Sequence, residues 1–179
     1  MRRMPALLSA ALFSAALAAP GLHAQGSDAF HVEAFGPAIL GSVNYERLVG
    51  SHLSARVGVG WMPGFDVGDA LHTPMMINVI AGRGKHRVEA GAGAVLVYAL
   101  NRGIEEEADV RLGFRRTYTT GTLAYRLEPA EGSALHGGIY RVGLTPVYFD
   151  GEMYPLFGVS AGFYLSALRK SGRTAAIRR

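Results

Sequence analysis

The chain contains no cysteine among its 179 residues, so no disulfide framework holds the fold together. It also lacks, beyond its first two dozen residues, any run of about twenty uninterrupted apolar residues, which argues against a helical membrane protein. A nucleic-acid footprint is missing too. The formal net charge of +4 is carried by the two ends, where Arg2 and Arg3 precede an apolar run and Arg169, Lys170, Arg173, Arg178 and Arg179 close the chain. Without them eleven basic residues face fourteen acidic ones, a body of about −3, and the basic residues are dispersed rather than gathered into a stripe. The histidines show no metal-ligand spacing, and neither a metal nor a cofactor is expected. Gly82-Arg83-Gly84-Lys85 is not a phosphate loop, because Val79 and His86 stand where a first glycine and a Ser or Thr are required.

What is present begins with a leader. Met1-Arg2-Arg3 is a short basic region, 6–19 is rich in Ala and Leu, and Leu22-His23-Ala24 offers a small-residue cleavage site. The segmentation expected is a signal peptide over 1–24, a barrel domain over 25–165 and a basic, disordered periplasmic tail over 166–179. The composition is 49% hydrophobic with 24 glycines, so a secreted chain of this kind must bury its apolar surface or show it to lipid.

Strict alternation decides between these. Leu53, Ala55, Val57, Val59 and Trp61 share one face of a strand, while Ser54, Arg56, Gly58 and Gly60 share the other. An apolar face ending in an aromatic, backed by charge and glycine, is how a strand reads between lipid and a polar lumen. Eight such segments follow one another, near 29–35, 39–49, 52–61, 74–82, 87–98, 114–128, 135–149 and 154–165. The fold class expected is all-β: an eight-stranded antiparallel up-and-down transmembrane β-barrel. Short links at 49–52 and 83–86 alternate with longer ones at 62–73 and 99–113, which puts the N-terminus on the periplasmic side.

Fixing strand direction sorts the aromatics into two girdles. Phe30, Tyr125, Tyr140 and Phe163 fall at the periplasmic end, and Trp61, Tyr98, Tyr148 and Phe157 at the outer end. The other face carries Glu33, Asn44, Glu46, Arg56, Glu89, Arg126 and Arg141, read as a charge network filling a lumen just wide enough for side chains. Glycines 58, 60, 91, 93 and 162 are expected to give the arginines room there. Pro146, inside strand seven, predicts a bulge, and Arg47, on the lipid-facing phase of strand two, must reach the interface or mark a phase change.

Gly41-Ser42-Val43-Asn44-Tyr45-Glu46-Arg47, Arg56-Val57-Gly58-Val59-Gly60 and Glu89-Ala90-Gly91-Ala92-Gly93 resemble strands of small bacterial outer-membrane β-barrel proteins, the class that includes the outer membrane protein A-type transmembrane barrel. The resemblance runs from about Phe30 to Leu165. It implies a Gram-negative-type outer membrane, contact with outer-membrane lipids and lipopolysaccharide, insertion by the barrel-assembly machinery, and a monomer. Such proteins serve as anchors, adhesins, small pores or lipid-modifying enzymes. The chain departs from the pattern after Ser160-Ala161-Gly162-Phe163-Tyr164-Leu165, where residues continue past the strand that usually ends the chain.

A structural or surface-interaction role without catalysis is the main expectation. Two alternatives stay open. One is a lipid-A-modifying enzyme using His72, read as a residue of the second outer loop beside Asp66, Asp69 and Thr73, with Ser160 the nearest serine. The other is a soluble periplasmic barrel carrying an apolar ligand. The remaining histidines, His31, His52, His86 and His136, read as interfacial polar residues. The acidic run Glu105-Glu106-Glu107 with Asp109, joined in sign by Asp66, Asp69, Asp150 and Glu152, reads as a solvated surface.

Overall fold

The structure, a computed structural model, describes residues 28–63, 69–102, 110–130, 133 and 135–166. The expected leader, the tail beyond Ser166, and Asp66, Glu105, Glu106, Glu107 and Asp109 lie outside the described residues.

Alternating side chains give each strand two unlike faces, and ten strands follow in chain order. They are β1 (Asp28–Ala34), β2 (Gly41–Val49), β3 (Leu53–Met62), β4 (Asp69–Arg83), β5 (His86–Arg102), β6 (Val110–Leu127), β7 (Gly138–Leu144), β8 (Val147–Phe149), β9 (Glu152–Tyr154) and β10 (Phe157–Tyr164). β7 with β8, and β9 with β10, are single staves interrupted at a proline, so the wall has eight staves. Each pairs antiparallel with its chain neighbour, and β1 pairs with β10 to close the ring. Closure removes every free edge.

Local chemistry explains the turns. Gly50 and Gly84 sit at φ 79° and 65° in the tight links after β2 and β4, a conformation glycine reaches without a Cβ clash. Between β1 and β2 the chain folds inward instead of standing clear. Gly36, Pro37 and Ala38 are buried.

Two expectations about irregularity need correction. No bulge forms at Pro146: Leu144 faces Leu123 and Val147 faces Thr120, so the register runs through unchanged. The missing N–H costs one rung, while the Pro146 carbonyl still accepts from Gly121 N–H at 2.9 Å. The bulge lies between β5 and β6, where Val97 faces Arg116 but Tyr98 faces Phe114, leaving Arg115 as the extra residue. Strand four also starts earlier than Pro74. β4 begins at Asp69, and Pro74 is interior, opposite a lapse in the β3 ladder at Gly58 and Val59.

The two faces differ as the alternation requires. Val32, Val43, Val59, Val79, Val142 and Val159 point outward and are exposed, while Asn44, Glu46, Glu89 and Arg126 are completely buried inside. Arg47 keeps the outward phase and stands on one rung with Asp28, 4.0 Å from its carboxylate, at the short-turn rim.

Close strand approach sets a steric test. A Cβ added at Gly143 would strike the Leu123 carbonyl and the Ala124 backbone, whereas one at Gly113 meets nothing within 4 Å among the described residues. Gly143→Val is expected to lose about 1–3 kcal/mol of folding stability, and Gly113→Ala to stay within about 0.5 kcal/mol. Urea midpoints read by gel migration of unheated samples check both.

Candidate functional site

The lumen has two zones. Toward the short-turn rim it is charged. Arg126, from β6, is the hub: one terminal nitrogen donates to Glu46 Oε1 and Oε2 at 2.9 and 3.0 Å and to Glu89 Oε2 at 2.9 Å. Its Nε donates to Glu128 at 2.7 Å and its other terminal nitrogen to the Tyr164 hydroxyl at 3.0 Å. Glu89 reaches on to Arg141 at 2.8 Å, and Arg141 donates from Nε to Ser160 at 2.8 Å while its third nitrogen meets the His31 ring at 2.9 Å. A looser pair, Arg56 with Glu33 at 3.6 Å, lies beside it, and Arg56 also reaches the Met76 sulfur.

Six predicted residues of the interior face therefore form ion pairs: Glu33, Glu46, Glu89, Arg56, Arg126 and Arg141. Their three negative and three positive charges cancel, as burial in a dry interior demands. Asn44 is buried with them but bonds only to Ser42, at 2.8 Å to its hydroxyl.

The glycines do not serve the arginines as expected. A Cβ at Gly58 would hit the Asn44 side chain and one at Gly91 the Asn78 side chain. Gly60 lies against Gly41 and Ala38, Gly93 against Met75 and Met76, and Gly162 against Phe30 and His31.

Sequence reasoning missed His31, Ser160, Tyr164 and Glu128 as members of this network. His31 is 2% exposed and faces the lumen, not the interface. The signal was available, since the alternation that turns Glu33 inward turns His31 inward as well.

Toward the loop rim the lumen becomes apolar. Val95, Val97, Tyr118 and Val147 pack together, with Ala70, Phe149 and Leu156 against them. Above them opens a cavity of about 410 Å³. His72 lines it. This histidine is a β4 residue, 2% exposed and turned inward, so its reading as a surface loop residue is wrong. Its Nδ1 lies 3.0 Å from the Tyr118 hydroxyl, which donates to the Pro37 carbonyl at 2.9 Å. Ser160 is engaged with Arg141 and supplies no nucleophile to His72.

All eight girdle aromatics point outward. Phe30, Trp61, Tyr125, Tyr148, Phe157 and Phe163 are exposed, and Tyr98 and Tyr140 half-buried. Phe30, Tyr125, Tyr140 and Phe163 stand within two residues of their strand ends at the short-turn rim, and Phe30 packs on Tyr45 at 5.4 Å. Tyr98 packs edge-on against Phe114 at 5.7 Å on the wall of the loop side. His52, His86 and His136 are exposed, with His86 bonded to the Tyr125 hydroxyl. Among the described residues no group of three or more His, Asp or Glu is placed to hold a metal ion.

No family model and no curated protein sequence matches the chain. Two solved structures do. The N-terminal β-barrel domain of Pseudomonas aeruginosa OprF is 16% identical, with a TM-score of 0.55, covering 79% of this chain and all of that one. Yersinia pestis outer membrane protein Ail in a phospholipid bilayer nanodisc is 10% identical, with a TM-score of 0.49, covering 78% of this chain and 99% of that one. The likeness to the OprF domain is one of fold. Both chains make the small closed barrel.

Removing the hub strands two carboxylates. Arg126→Met is expected to cost about 3–5 kcal/mol, because Glu46 and Glu89 lose their shared cation in a buried site. Glu46→Gln in the same chain should restore part of that loss. Arg87→Met, which frees only a partly exposed contact to Glu128, should cost under about 1 kcal/mol. Denaturant titration of the three variants separates these outcomes.

Proposed function

We propose that this protein is an outer-membrane β-barrel, a monomer whose lumen is sealed by paired charges and whose role is structural or surface-interacting rather than catalytic. One observation carries the reading. An apolar band runs round the whole circumference of the outer wall, and the charge network lies inside. Val32, Val43, Val59, Ile77, Val88, Leu123, Val142 and Val159 are all 42–62% exposed, and together they girdle the barrel. Soluble monomers rarely expose a contiguous apolar patch beyond a few hundred Å², so water is a poor solvent for this surface and lipid a good one.

Dimensions agree. β2 and β3 have 9 and 10 residues, the length a tilted strand needs to cross a bilayer. The aromatics at both rims suit headgroup depth. Outer-membrane lipids and lipopolysaccharide would then be the partners of the wall, and the barrel-assembly machinery the partner during insertion. A continuous water path along the axis is opposed by the Arg126 hub, which joins β2, β5 and β6 across the lumen. The catalytic alternative loses support in geometry, since the described partner of buried His72 is the Tyr118 hydroxyl, and no serine, threonine or carboxylate is bonded to it among the described residues.

Val43→Arg tests the solvent of the wall. In a bilayer the substitution should cost about 2–4 kcal/mol of folding free energy. In a water-soluble barrel the same exposed position should tolerate arginine within about 0.5 kcal/mol. The wild-type chain should also fractionate with outer membranes and migrate differently on gels before and after boiling. Recovery in the soluble periplasm with no heat shift would overturn the reading.

A further inference from the structure

The barrel wall is not level at the loop side. β1 and β2 end first, at Ala34 and Gly41, which face each other on one rung. The last rung of β2 on β3 is Ser42 opposite Gly60, and β3 runs on to Trp61 and Met62, which pair only with β4. β5 and β6 continue together to Arg102 and Val110. On the other flank β9 pairs with β8 and, among the described residues, with no strand on its second side. Between Met62 and β9 the described wall therefore has a gap two staves wide, above the ends of β1 and β2.

Residues 35–40 are the sill of this gap. They fold inward instead of lengthening the two strands, and the backbone is strained there: Phe35 and Ile39 stand at φ 57° and 71°. For a β-branched residue that conformation is costly, and it persists only where the surroundings impose it. Ala38 seats the turn on β3, so close to Gly60 that a Cβ at that glycine would strike it. The sill carries apolar side chains, with Phe35 and Leu40 exposed.

The loop-side cavity reaches the gap. Ile39 lines it from the sill, Met62 from one post, and Tyr154 and Leu156 from the other. Its volume of about 410 Å³ falls within the range of small-molecule pockets, roughly 300–1,000 Å³. Its accessible wall is almost wholly carbon, and His72 adds no polar contact because its Nε2 has no accessible surface. Such a wall offers a polar ligand nothing and favours hydrocarbon.

The depth of the sill decides where that hydrocarbon comes from. Trp61 is one residue beyond Gly60, and Phe157 is two residues beyond Val159, the partner of Ala34, so two aromatics of the outer girdle flank the gap. A gap at headgroup depth opens onto the acyl chains beside it. Those chains already lie against Val32, Val43 and Val159 on the wall below, and one of them reaches the cavity without crossing water.

We propose that the cavity takes one acyl chain of a bilayer lipid, entering sideways over residues 35–40 between Met62 and Tyr154 while the headgroup stays at the rim. The proposal rests on the outer-membrane reading above and adds to it a point where the lipid-facing wall and the lumen are continuous.

The probe is phosphatidylcholine with a diazirine at the end of one acyl chain, built into nanodiscs around the full chain. After illumination, peptide mass spectrometry reads which residues carry the lipid. Expected are adducts on the outward residues Val43, Val59 and Val142 and also on the cavity residues Val147 and Leu156. Val97→Trp, which fills the cavity, should abolish the cavity adducts and leave the outward ones unchanged; Ala99→Phe does the same duty if the first variant lacks the heat-dependent gel shift. Ile39→Asp puts a charge on the sill in a backbone conformation that aspartate tolerates better than isoleucine, and should lower the cavity adducts severalfold. A free fatty acid bearing the same diazirine, added from water, separates the two sources of chain. Cavity adducts from the fatty acid but none from the phospholipid would overturn the proposal. So would outward adducts alone, or cavity adducts that survive either substitution, and these outcomes leave the outer-membrane reading standing. Absence of the outward adducts as well would sink both.

Discussion

The Arg126 guanidinium is the contact on which the rest of the barrel depends. It touches Glu46 on β2, Glu89 on β5, Glu128 beyond β6 and Tyr164 on β10. Glu89 passes the linkage to Arg141 on β7, which reaches Ser160 on β10 and His31 on β1. Arg56 and Met76 add β3 and β4. Every stave is thus tied to the same interior. Apolar residues of equal volume would fill a lumen this narrow at no greater cost, so stability alone does not explain the charges. Register does. A one-residue slip of β1, β2, β3, β5, β6 or β7 turns its inward charge outward and leaves the partners unpaired, which makes the network a lock on strand pairing.

The same interior changes character along its axis, and the first loop marks the change. Gly36 lies directly on the Glu33 side chain, Pro37 accepts the Tyr118 hydroxyl, and Ile39 lines the cavity. Residues 35–40 thereby separate the charged zone from the apolar one. The walls above them are tall: β4, β5 and β6 have 15, 17 and 18 residues, well beyond the length needed to cross a bilayer. The surplus encloses the cavity.

Alternation made the faces legible from the sequence, because a period of two is fixed by the backbone and survives any detail of packing. Glu46, Glu89, Arg126 and Arg141 could be placed inward from it alone. Which acid meets which arginine could not, since those pairs join strands 37 to 80 residues apart. His72 was misplaced for a local reason. Reading Pro74 as the start of a strand cut off five residues of β4, although a proline can sit inside a strand where the neighbouring ladder lapses, as it does at Gly58. The cavity was invisible for a related reason: its walls come from extensions of β4, β5 and β6 into segments that read as loops.

Apart from the lapse in the β3–β4 ladder at Gly58 and Val59, the departures from a regular barrel gather around the cavity. The bulge at Val97 and Tyr98, the interruption at Thr145 and Pro146, and its counterpart at Pro155 and Leu156 all border the cavity, and the two interruptions face one another through Thr145 N–H to Leu156 carbonyl at 2.7 Å. The inward fold of residues 35–40 completes the ring. The charged half of the barrel keeps regular pairing, Asp28–Ala34 against Gly41–Arg47 and Leu123–Leu127 against Tyr140–Leu144. A sequence that follows the pairing rules in one half of its lumen and breaks them repeatedly around one cavity in the other is shaped there by something besides folding. His72 Nε2 is buried in the wall of that cavity, without accessible surface and without a hydrogen-bond partner among the described residues.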